Sequence, residues 1–145
     1  MQSTFTAIAE IKPGRVEHLR QAVQWLSEHV AESPLPAIGT IHFARWVLID
    51  NDTRFLFASH YDGSWDTYME DFAYKAGDAM DMIFGNCVGY PEGGARDVEG
   101  FKQFVRRVEI KEMLVFSSYP DATVKDIQKA LSIREKFESL LDEFQ

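Results

Sequence analysis

The chain has 145 residues, of which 46% are hydrophobic and 26% charged, with a formal charge of −8 and a pI near 4.9. That length suits a single domain with a buried core. The acidic balance speaks against nucleic acid and against a polybasic lipid anchor, because both kinds of binding draw on clustered Lys and Arg.

Cys87 is the only cysteine, so no intrachain disulfide can form and nothing points to an oxidising compartment. The opening "MQSTFTAIAEIKPG" has no basic region followed by a long apolar run, so it does not read as a signal peptide. No stretch reaches the roughly 18–20 apolar residues of a membrane span. The expectation is a cytoplasmic protein with no membrane partner.

In chain order, residues 4–11 alternate, with Phe5, Ala7, Ala9 and Ile11 on one face, and predict a half-buried strand. "KPG" ends it. Residues 15–30 place Val16, Leu19, Ala22, Val23, Leu26 and Val30 at helical spacing. "AESPLPAIGT" reads as a loop. Residues 40–49 and 54–61, separated by "DNDT", predict a β-hairpin.

Ser64 is a good N-cap for a helix whose apolar stripe starts with Trp65, Tyr68, Met69, Phe72 and Ala76. Gly77 interrupts it, and Ala79, Met80, Ile83, Phe84 and Cys87 continue it. "GYPEGG" is a loop that could lie over a site as a lid. A short helix follows over 97–107, then a fourth strand over "IKEMLVFSS", residues 110–118. Thr123 and Asp126 resemble a capping box, and Ile127, Leu131, Phe137 and Leu141 predict a long final helix.

The order β-α-β-β-α-(α)-β-α is the split-βαβ, ferredoxin-like pattern of an α+β domain with an extra C-terminal helix, a single domain over 1–145. It places helices on one sheet face only. The strands nevertheless carry apolar residues at both parities, Phe43 and Val47 against Trp46 and Leu48. The second face then needs a cover, most simply a second copy of the chain in a homodimer.

This pattern resembles the dimeric α+β barrel superfamily, in which two ferredoxin-like subunits press their sheets together. Its members include antibiotic-biosynthesis-type monooxygenases, chlorite-dismutase-like and dye-decolourising haem enzymes, and ligand-binding regulators. "HFARWVLID", "YDGSWDTYMEDF", "IFGNCVGYP" and "YPDATVKDIQKALSIRE" resemble, over most of residues 40–136, a bacterial family of unassigned function. The resemblance implies a fold and a dimer. It transfers no site residue and names no cofactor.

Candidate chemistry comes from the hairpin. With an even turn, partners sum to 103, so Phe43 faces His60 and Arg45 faces Ala58. Arg45, His60 and Asp62 then share one face, and His42, Trp46 and Tyr61 the other. An odd turn or a bulge would regroup them. Arg45 in a strand needs a carboxylate, an anion or water. It is either paired with Asp62 or a helix carboxylate, or it is an anion clamp. His60 is either a hydrogen-bonded structural residue or a catalytic base or haem ligand.

His42, Trp46, Tyr61 and Asp62 complete the candidate ligand-binding set, for a small apolar or carboxylate ligand. No spacing suggests a metal site. Cys87, on an apolar stripe, reads as a buried, inert thiol. Two functions fit: a monooxygenase-like or haem-related oxidoreductase acting on an apolar ligand, or a non-catalytic ligand-binding or assembly module.

Overall fold

Alternation at the N-terminus produces the strand it predicts. In a computed structural model describing residues 1–145, β1 (Gln2–Glu10) buries Phe5, Ala7 and Ala9 on one face, with Ile11 just beyond its end. The hairpin follows as β2 (Ile41–Ile49) and β3 (Arg54–Asp62). Its turn holds Asp50, Asn51 and Asp52 all at positive φ, a conformation that Asn and Asp tolerate better than most residues. β3 lies in the middle of an antiparallel sheet of order β1-β3-β2.

Three helices cover one face of this sheet. They are α1 (Val16–Glu28), α2 (Trp65–Phe84) and α3 (Val98–Val108). Leu19 and Leu26 of α1, Met69, Phe72, Met80 and Ile83 of α2, and Phe101 and Phe104 of α3 close over Phe5, Phe55 and Phe57 as one apolar core. Ser64 caps α2 by accepting from the Thr67 N–H. The helix kinks at Ala76, beside the predicted interruption at Gly77. The last helix, α4 (Val124–Asp142), begins with the expected capping box of Thr123 and Asp126.

One element differs from expectation. Residues 110–118 do not form a fourth strand. The chain makes a single bridge, Glu109 to Ala7, and the Ile110 N–H donates to the Thr6 carbonyl. The ladder stops there. Side chains take over: Thr6 Oγ1 donates to Glu112 Oε1 at 2.9 Å, and Gln2 Nε2 donates to the carbonyls of Tyr119 and Ala122. The segment therefore returns along the outer edge of β1 without pairing with it. The fold is α+β, with three strands in the order of the split-βαβ pattern and the place of the fourth taken by an irregular segment.

Candidate functional site

The site follows from strand parity. Pairing in the hairpin runs Phe43–His60, Ala44–Ser59, Arg45–Ala58 and Val47–Leu56, the register of an even turn. β1 adds Thr4 beside His60 and Thr6 beside Ala58. Of these, Phe43, Arg45, Ala58 and His60, with Thr4 and Thr6, point away from the helices. Together with the segment after α3 they line an open cavity of about 570 Å³. Arg45 and His60, the two residues proposed as catalytic from the sequence, both line it. Phe43, Leu114 and Phe116 supply apolar wall, and Thr4, Thr6 and Glu112 supply polar atoms.

Arg45 makes none of the chain's ion pairs. The expected pairing with Asp62 is replaced by another contact. A β-bulge between Ile41 and Phe43 shifts the register and brings His42 onto Asp62, with Nε2 and Oδ1 2.7 Å apart. The other oxygen, Oδ2, accepts from the Val124 N–H at 2.8 Å, at the first turn of α4. A carboxylate at a helix N-terminus satisfies an orphan donor and opposes the positive end of the helix dipole. His42 and Asp62 thus fasten the hairpin to α4. Neither lines the cavity that holds Arg45 and His60.

Trp46 and Tyr61 also lie outside it, because their parity turns them toward the helices. Trp46 packs on Phe57 with ring centroids 5.2 Å apart. Tyr61 is stacked on Tyr68 at 3.8 Å. Burial raises the Tyr61 hydroxyl above its ordinary pKa, and Glu109 adds to the shift. Tyr68 donates to Ser59 Oγ, so both tyrosines belong to the core.

The "GYPEGG" loop is not a lid over this cavity. It is pinned to α2 instead. Asp81 Oδ1 accepts from the Tyr90 hydroxyl at 2.6 Å and from the Ala95 N–H at 2.8 Å. Gly94 has φ +67, and a Cβ there would meet the Asp81 carboxylate at 2.6 Å, so only glycine fits the corner. Cys87 is fully buried as expected, and burial pushes its thiol up to about 12.

The sequence reading missed Glu112, Leu114 and Phe116 as lining residues. The available signal was Glu112, a charge inside an apolar run, the same feature that singled out Arg45. No three His, Cys, Asp or Glu residues lie close enough together to hold a metal ion. No helix is long and apolar enough to cross a membrane.

No family model matches the chain, and neither does any curated protein. Among solved structures it is similar to tetracenomycin F2 cyclase from Streptomyces glaucescens, a type-II polyketide cyclase. The identity is 13% and the TM-score 0.49, over 80% of this chain and 98% of that one.

Proposed function

We propose that the chain binds a small apolar anion, an aromatic carboxylate or phenolate, on the open face of its sheet. The observation that carries this reading is Arg45, a guanidinium without a counter-charge, two rows from a histidine across an apolar-walled cavity. A planar cation beside an aromatic wall suits a flat ligand with one acidic group. From a ligand that arrives as a neutral phenol, His60 would accept the proton and Arg45 would hold the phenolate that remains; a carboxylate, already ionised, would only be held by Arg45. Removal of a proton from an apolar acid is the kind of step a monooxygenase-like enzyme requires; a binding module would stop at the complex.

Haem fits this lining poorly. Its two propionates would face Arg45 as the only Lys or Arg side chain and Glu112 as an acid, so no step is assigned to it. A second copy of the chain would close the cavity. Phe43 is 77% exposed, Leu114 85% and Phe116 80%, and an uncovered apolar surface of this kind marks an interaction site.

The test is calorimetric titration with 2-naphthoate and, separately, haemin. Saturable naphthoate binding that weakens on the order of tenfold or more in Arg45→Met supports the reading. A hydrogen bond to a charged group is typically worth that much. Naphthoate binding indifferent to Arg45, or haemin binding that needs His60, would overturn it. Dioxygen consumption with 1-hydroxy-2-naphthoate, lost in His60→Gln, would place the protein among enzymes; binding without turnover would make it a binding module.

A further inference from the structure

We propose that α4 is a self-recognition arm that pairs antiparallel with α4 of a second copy. The helix is anchored only at its start, through the Asp62 contact and its own capping box. Beyond Val124 almost all of it is exposed. Most of a helix's stability in a protein comes from packing its apolar face, so a helix without packing calls for a partner.

Its apolar residues form a seam. Ala130, Ile133, Phe137 and Leu140, with Phe144 just past the helix end, recur at alternating steps of three and four, the spacing with which one helix packs along another. Phe137 is 59% exposed and Phe144 80%. The charges identify the occupant. Residues 124–134 hold Lys125, Lys129 and Arg134 against the single acid Asp126. Residues 135–145 hold Glu135, Glu138, Asp142 and Glu143 against the single base Lys136.

An antiparallel copy sets each basic half against an acidic half. A parallel copy sets like against like, at a cost. The arrangement is self-complementary, as a two-fold symmetric contact must be. A lipid surface suits the helix less well, because interfacial helices are rich in Lys and Arg along the polar face, whereas this one ends acidic. The contact is separate from the sheet-face cavity and does not depend on the ligand reading.

The full-length protein tests it through spin-label distances from single cysteines at Ser132 and at Gln128, in a Cys87→Ala background. Antiparallel pairing places the Ser132 labels close together and the Gln128 labels roughly 12 Å farther apart along the axis, at 1.5 Å per residue. Lys125→Glu with Lys129→Glu should raise the self-dissociation constant on the order of tenfold. Adding Asp142→Lys and Glu143→Lys should restore it. Equal separations at the two positions, or a charge reversal without effect, would mean parallel pairing and overturn the proposal. So would a monomer, or a helix that binds anionic vesicles instead. A dimer with no short distance between the two helices would overturn this contact and leave the proposed closure of the cavity standing.

Discussion

Arg45 and Asp62 sit on the same hairpin and have unrelated tasks. Both oxygens of Asp62 are engaged, one by His42, whose side chain is only 6% exposed, and one by the α4 N–H. Asp62→Ala strands both partners and should cost about 1–3 kcal/mol, the penalty for buried polar groups left unsatisfied. Arg45→Met strands nothing and should leave the melting temperature unchanged or raise it. Chemical denaturation of the two single variants and the double should show additive effects. A coupling beyond about 0.5 kcal/mol would restore the ion pair that the register rules out. Parity left two choices for the face that Arg45 and His60 share, and the pairing of Phe43 with His60 and of Arg45 with Ala58 selects the even one. The pairing of Asp62 was not legible in the sequence, because a bulge is a local backbone event with no glycine or proline in "IHF" to announce it. Cys87 shows the opposite case, where a stripe of apolar residues sufficed. With its thiol pushed up to about 12, very little thiolate exists in the folded protein at pH 8. Labelling with a thiol reagent should be slow in the native state and fast in urea; rapid stoichiometric reaction of folded protein would reverse the assignment.

At the scale of elements, helices were easier to read than the last strand. α1, α2 and α4 each declare themselves by stripe or cap, and the α2 kink falls beside the glycine that weakens the helix there. Gly77 has no positive φ, and a Cβ would stand 3.6 Å from Ala95 Cβ, an ordinary contact. Gly77→Ala should therefore stabilise the fold by about 0.5–1 kcal/mol, the usual difference between the two residues in a helix. Thermal melts that fall instead would show that the bend depends on glycine at this position. Residues 110–118 mislead because their composition is that of a strand, whereas strand formation requires an edge that pairs beyond one bridge. Glu109 and Glu112 flank the point of departure. Burial, and then Glu112, raise the Glu109 carboxyl above its usual range, so the negative charge at Glu109 is disfavoured in the folded chain. The side-chain bond from Thr6 holds Glu112 where a backbone ladder would have continued. The same departure carries Leu114 and Phe116 to the cavity, which is why the missed strand and the missed lining residues are one error.

The whole molecule has two layers where its apolar residues would suit three. Helices bury one sheet face, and the other presents Phe43, Val47, Leu114 and Phe116 around an open cavity. A second copy on this face would form a contact resembling a split core and bury on the order of 2,000 Å². Sedimentation at micromolar concentration should then give twice the chain mass of 16.6 kDa. Phe43→Asp tests the face directly. The side chain is mostly exposed in the single chain, so the substitution should hardly change the stability of the monomer. In the assembled face it would desolvate a carboxylate, at a cost of several kcal/mol that Arg45, two residues along the same strand face, offsets only in part. The expected outcome is a folded chain with an unchanged circular dichroism spectrum, weaker self-association than wild type and weakened naphthoate binding, because half of the wall is gone; combined with Lys125→Glu and Lys129→Glu it should be monomeric. A Phe43→Asp variant whose self-dissociation constant equals that of wild type, in the Lys125→Glu, Lys129→Glu background as well, would show that this face is not where copies meet. A wild-type chain that remains a compact monomer would remove the need for the third layer altogether.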